Sequence, residues 1–215
     1  LKKTFRFQSG VDRVQFGQIY NPTTKAMADY FLDIQYNNLV YGKQEVNFKE
    51  FECCTFNHCD FSQCVFLSVT FIDCIFNDCN FNTAKINYVA LRTVTFNHCM
   101  MKEVNFAMCD KLIFEIAFNH CILDFSKFYT LKLKGTSFVD CSLIAVDFMS
   151  TDLTEAIFDT CDLYRSEFAK AIANKANFKT SSNYTIDPTK TKIKKAVFSL
   201  KGLRGLLVKY DVVVE

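Results

Sequence analysis

Eleven cysteines and three histidines are the residues of this 215-residue chain whose chemistry first needs explaining. The triplet Asn-His-Cys occurs at 57–59, 97–99 and 119–121 and holds every histidine of the protein. Thiolate and imidazole are ligands for zinc and other transition metals, and thiols also carry redox chemistry. Spacing bears on which of these applies. Cys54, Cys59, Cys64, Cys74, Cys79 and Cys99 are separated by multiples of five residues, and Val69, Ala84, Val89, Val94 and Val104 occupy the same register. A position shared by Cys, Val and Ala selects for small apolar bulk rather than thiolate reactivity. In a secreted chain so many cysteines would suggest disulfides. Here we read them as reduced, buried thiols in a cytoplasmic protein.

Two residues after each member of that register comes a large apolar residue, at 51, 56, 61, 66, 71, 76, 81, 86, 91, 96, 101 and 106. A five-residue period matches neither a helix nor an ordinary strand, whose side chains return every 3.6 or 2 residues. It matches a square coil with one pentapeptide per side, turning two residues of each side inward. Positions twenty apart then stack at about 4.8 Å, the inter-strand distance. Beyond Phe106 the register slips, since Phe96 to Phe118 is 22 residues, and the two extra residues are placed within Cys109 to Glu115. With that correction Phe56, Phe76, Phe96, Phe118, Phe138, Phe158 and Phe178 form one column. Phe66, Ile86, Phe106, Phe128, Phe148 and Phe168 form another on the opposite wall, and Cys59, Cys79, Cys99, Cys121, Cys141 and Cys161 form a third. A packed column of parallel thiols offers neither tetrahedral ligand geometry nor an exposed thiolate.

With these residues in place, the stretch 46–179 resembles the pentapeptide-repeat proteins. The resemblance implies an all-β solenoid, a right-handed quadrilateral β-helix of six to seven coils, here with an N-terminal helical cap and a C-terminal helix. One outward column reads His58, Asp78, His98, His120, Asp140, Thr160. Imidazole and carboxylate suit a divalent cation, but ladders of like polar residues are also what such a surface shows by default. We expect a solvated ladder, with no metal and no cofactor. Asp60, Asp124, Asp147, Asp152 and Asp162 are likewise read as solvated repeat positions. No Gly-rich phosphate loop, Gly-x-Ser-x-Gly elbow or His-Glu-x-x-His occurs, so no catalytic residues are assigned and an enzyme is not expected.

The flanks divide the chain into a capping segment at 1–45, the array at 46–180 and a C-terminal segment at 181–215. Thr4–Phe7 and Val14–Phe16 look like short strands, and Asn21-Pro22 opens a helix with Met27, Tyr30, Phe31 and Ile34 on one face. Capping is expected because a solenoid end exposes core and unpaired strand edges. After Asp187-Pro188, residues 192–198 read as a last extended edge. Ser199 is an N-cap for a helix with Leu200, Leu203, Leu206 and Leu207 on one face, and Val212–Val214 a closing strand. This ending is similar to that of the Qnr-type quinolone-resistance proteins, where it forms a symmetric dimer. The resemblance implies a homodimer through those four leucines and a type II topoisomerase as partner, bound by mimicry of DNA. Asp110 and Lys111, in the slip, are the partner-binding candidates. A scaffolding role with another protein partner is the alternative.

Charge bears on the partner. The array carries twelve Lys/Arg against sixteen Asp/Glu, the C-terminal segment seven against three and the first 45 residues six against four. No basic stripe runs along the array, which argues against direct nucleic-acid binding. No apolar run approaches the roughly 18 residues of a membrane-spanning helix.

Overall fold

The computed structural model describes residues 29–213 of the chain. Eleven short parallel strands form two sheets. The first face stacks β1 (Asp29–Leu32), β3 (Lys49–Glu52), β5 (Thr70–Ile72) and β7 (Ala90–Arg92). The second stacks β2 (Gln35–Asn37), β4 (Thr55–Asn57), β6 (Ile75–Asn77) and β8 (Val94–Asn97), then β9 (Ile116–Asn119), β10 (Ser137–Val139) and β11 (Ile157–Asp159). The third and fourth faces are held by single parallel bridges such as Asp60–Asn80 and Val65–Lys85.

Every register below Phe106 is twenty residues, for example Phe56 to Phe76, while Val94 pairs with Ile116 and Phe96 with Phe118. The two-residue slip therefore lies between Phe106 and Ile116, where it was placed from sequence. Asp110 N donates to Val89 O and Glu115 N to Leu91 O, and residues 111–114 bulge out between these bonds.

The chain turns at most corners through a residue of left-handed conformation. Asp33, Asn38, Cys53, His58, Ser68, Asp73 and most of their non-glycine successors in the coil have φ of +50 to +62°, two residues past the inward-facing centre of a side. Asn, Asp and His tolerate this region better than most residues, because their short polar side chains bond locally. That preference, rather than ligand chemistry, explains a column composed of His58, Asp78, His98, His120 and Asp140.

Inside, Phe56, Phe76, Phe96, Phe118, Phe138, Phe158 and Phe178 stand in one stack with centroids 4.7–5.3 Å apart. Tyr36 extends it below at 4.8 Å and Phe198 above at 5.3 Å. Phe106, Phe128, Phe148 and Phe168 stack on the facing wall and meet the first column edge-on. Each such ring contributes about 1.5–3 kcal/mol by burial. The small inward residues do more than fill space. Cys79 Sγ donates to Phe56 O (3.4 Å), and Thr151 Oγ1, Ser181 Oγ and Thr191 Oγ1 each donate to the corresponding carbonyl of the coil below, all at 2.9 Å. The register thus admits a small donor as readily as Ala or Val.

Three expectations need correction. Tyr30, Phe31 and Ile34 do not lie on a helix: Tyr30 and Phe31 are in β1, which pairs with β3, and Ile34 O accepts from Thr55 N. Phe31 stacks on Phe51 at 5.1 Å, so the five-residue period already operates here and overrides the apparent helical spacing. Met27, Asn21-Pro22, Thr4–Phe7 and Val14–Phe16 lie outside the described residues. Coiling also continues past Phe178, with bridges Ile172–Lys192 and Asn177–Val197. Val212 and Val213 form no strand, and Val214 lies outside the described residues.

Ten of the eleven cysteines are buried and Cys53 alone is exposed. Burial pushes the Cys64 thiol up to about 12 and that of Cys109 higher still. A thiol titration of the native protein is expected to find one rapidly reacting cysteine, lost in Cys53→Ser, and the other ten only after denaturation.

Candidate functional surfaces

Whatever this rod recognises must be read by the outward residues between the core columns. On the second face, Asn37, Asn57, Asn77, Asn97 and Asn119 form a continuous amide ladder, each Nδ2 donating to the Oδ1 below at 2.8–2.9 Å. Such a ladder satisfies its own polarity and leaves little for a partner. Beside it runs the histidine column. His58 Nδ1 lies 3.9 Å from Asp78 Oδ2, the rings of His98 and His120 stack at 4.7 Å, and His120 Nδ1 lies 2.8 Å from Asp140 Oδ2. Among the described residues no three His, Cys, Asp or Glu side chains group closely enough to hold a metal ion. The parallel stacking instead directs each ring at its neighbour.

The six-membered thiol column lies wholly inside, so its chemistry is unavailable at the surface. Asp60, Asp147, Asp152 and Asp162 each accept a backbone N–H two residues on, at 2.8–3.0 Å, bracing the turn that follows. Asp124 is nearly buried, accepting from Ser142 Oγ (2.6 Å) and Ile144 N (3.2 Å).

The bulge is the clearest irregularity. Asp110 Oδ1 accepts from Leu112 N (2.9 Å), and Lys111 Nζ reaches Thr130 Oγ1 (2.9 Å), tying the loop to the next coil. Leu112 and Ile113 stand 68% and 63% exposed. On the adjoining fourth face Leu67, Tyr88, Met108 and Met149 are also exposed. Tyr88 N donates to Met108 O, which puts these two on successive coils, and Met149 lies two coils beyond Met108, its carbonyl accepting from Thr130 N in the coil between. The result is an apolar band centred on the bulge. Sequence reasoning found Asp110 and Lys111 but not this band, whose signal was bulky apolar residues at outward positions.

Charge is divided along the rod. Residues 29–126 hold six Lys/Arg and twelve Asp/Glu; residues 127–213 hold fourteen and nine. On the lower first face Asp29, Asp33, Glu50, Glu52 and Asp73 outnumber Lys49 and Arg92, whereas on its upper half Lys132, Lys134, Lys175, Lys192, Lys194 and Lys195 outnumber Asp152 and Glu155.

At the C-terminal end, Ser199 Oγ accepts from Gly202 N (3.0 Å), the capping contact expected of it. A 3-10 turn, Lys201–Leu203, leads into α1 (Arg204–Leu207), and a second turn spans Val208–Tyr210. Leu206 packs against the core, while Leu200, Leu203 and Leu207 are exposed. Gly202 and Gly205 serve close approach within the chain: a Cβ on Gly205 would stand 2.2 Å from Tyr184 O, and one on Gly202 1.9 Å from the Tyr184 hydroxyl. Asp187 holds the far end, accepting from Thr189 Oγ1 (2.7 Å) and pairing with Lys209 (3.0 Å). The Thr189 hydrogen bond, ahead of the lysine, lowers the Asp187 carboxyl to about 2. None of the helices among the described residues is long and apolar enough to cross a membrane.

Comparison with known proteins agrees with this geometry. A model of the pentapeptide repeat region matches residues 111–186, and one of pentapeptide repeats (8 copies) matches residues 50–87. No curated protein matches the sequence significantly. Among solved structures the chain is similar to HetL, a pentapeptide repeat protein involved in heterocyst differentiation regulation from the cyanobacterium Nostoc sp. Strain PCC 7120. That similarity has 12% identity and a TM-score of 0.50, and covers 80% of this chain and 87% of that one. It is also similar to trypsin-treated QnrB1, a plasmid-mediated fluoroquinolone resistance protein, with 13% identity, a TM-score of 0.46 and coverage of 86% and 100%. At such identities the likeness concerns the fold. Repeat models over more than half of the chain, together with twenty-residue coils, left-handed corners and stacked centres, make this chain a member of the pentapeptide-repeat proteins.

Proposed function

We propose that this chain is a non-catalytic, cytoplasmic protein-binding rod whose apolar band, with Asp110 and Lys111 at the foot of the bulge, docks a protein partner. The observation that carries this reading is the exposure of Leu112 and Ile113 on a bulge within an otherwise regular coil. Contiguous apolar surface rimmed by polar residues is favourable to bury and uncommon where nothing binds. Proximity labelling in cells is expected to mark a partner that is lost with Leu112→Ser/Ile113→Ser. Identical labelling by both proteins would overturn the assignment of this surface.

A second reading names the partner. Resemblance to the Qnr-type proteins suggests DNA gyrase or topoisomerase IV, with the rod lying where DNA would and without touching nucleic acid itself. The acidic lower first face favours this; the basic upper half weakens it, since mimicry of DNA needs negative potential along the whole contact. In a gyrase supercoiling assay the reading requires inhibition, or rescue from a quinolone, at micromolar protein. No effect in either arm removes the topoisomerase.

We also propose that the protein is a homodimer, with Leu200, Leu203 and Leu207 meeting their counterparts across a two-fold axis and Leu206 supporting them from the core. Light scattering is expected to give twice the 24.8 kDa chain mass for the wild type. It should give the single mass for Leu203→Glu/Leu207→Glu, and a wild-type monomer would reject the dimer.

A further inference from the structure

Between the last coils of the third face and the C-terminal helix lies a cleft of about 660 Å³. That volume falls within the roughly 300–1,000 Å³ typical of small-molecule sites. Its charge is one-sided: Arg165, Lys179, Lys201 and Arg204 line it, and no carboxylate of the described residues does. Lys179, Lys201 and Arg165 make no ion pair among the described residues. Asp159 and Asp162, next to lining residues, are already engaged, Asp159 accepting from Thr180 Oγ1 (2.8 Å) and Asp162 from Asn183 Nδ2 (2.8 Å) and Tyr164 N (3.0 Å). Hydroxyl groups of Ser182 and Thr185 also line the cleft, and Tyr164 exposes its ring at the edge. The Tyr184 side chain, 4% exposed, lines it too, and its buried hydroxyl has no hydrogen-bond partner.

We propose that this cleft binds a compact polyanion carrying phosphate groups, either free pyrophosphate or the phosphate end of a nucleotide. Arg165, Lys179 and Lys201 repel one another across the concavity when it is empty and are neutralised together by one multiply charged ligand. Low-dielectric walls strengthen that attraction. Arginine forks match phosphate oxygens in pairs, and lysines add mobile point charge. The exposed Tyr164 ring is a platform on which a nucleotide base can stack. The site is separate from the leucine surface assigned to the dimer: Lys201, Arg204, Gly205 and Val208 line the cleft at helical spacing, whereas Leu200, Leu203 and Leu207 occupy other positions of the same segment. It also stands independently of the protein-docking band.

Isothermal titration of the full chain with pyrophosphate and, separately, with ATP tests this. Saturable binding is expected that weakens as salt rises and falls roughly tenfold for each of Lys179→Gln and Lys201→Gln, the loss of one charge-assisted hydrogen bond apiece. Lys132→Gln/Lys134→Gln, on the basic half of the first face, should bind as the wild type does. Tyr164→Ala weakening ATP but not pyrophosphate identifies the nucleotide as the source, and equal affinity for both ligands in that variant and in the wild type identifies the phosphate group alone. Absence of binding at millimolar ligand, or equal weakening by the first-face control, overturns the proposal.

Discussion

A left-handed residue at nearly every fifth position is the constraint on which the rest of this structure depends. It turns the chain through its corners, and with four corners the backbone returns above itself after twenty residues. Parallel hydrogen bonding then sets the rise, and each side chain meets the one twenty positions away at nearly the inter-strand distance. Identity along a column follows from this. Equal rings can stack in offset pairs, equal amides can bond Nδ2 to Oδ1, and equal small residues leave a uniform gap. A bulky residue in a small-residue column would strain two coils at once.

That logic also accounts for where chemistry is absent and where it is left open. The cysteines, which look reactive as text, are walled in because their column must be small. The histidines are conspicuous because corners favour Asn, Asp and His; His98 and His120 stack on each other, His120 meets Asp140 and His58 lies beside Asp78. Outward positions are free of packing demands, and departures from small polar residues there carry information. Two such departures stand out, the apolar band beside the bulge and the cationic cleft beneath the C-terminal helix.

The slip at residues 107–115 shows how a regular array accommodates an irregular feature at small cost. The ladders on either side keep their pairing, Val94 to Ile116 and Asn105 to Lys127, and the surplus is expelled as a loop rather than spread through the core. Phe96 still stacks on Phe118 at 5.3 Å. Local expulsion is favoured because a shift of the whole register would unstack every column above it, at a cost of about 1.5–3 kcal/mol per ring.

The sequence by itself determined the coil, its four core columns, the site of the slip and the burial of the cysteines. Each is encoded as a period in the chain, and a period survives without knowledge of tertiary contacts. It misled at Tyr30, Phe31 and Ile34, where three residues suit a helical face and a five-residue coil equally well, and pairing with Lys49–Glu52 decides between them. Only the structure identified Tyr184 as the neighbour that Gly202 and Gly205 accommodate. The apolar band and the cleft were not legible at all. Both join residues from different coils, or from the last coils and the terminal helix, and such neighbours are set by the stacking of the chain on itself rather than by any spacing along it.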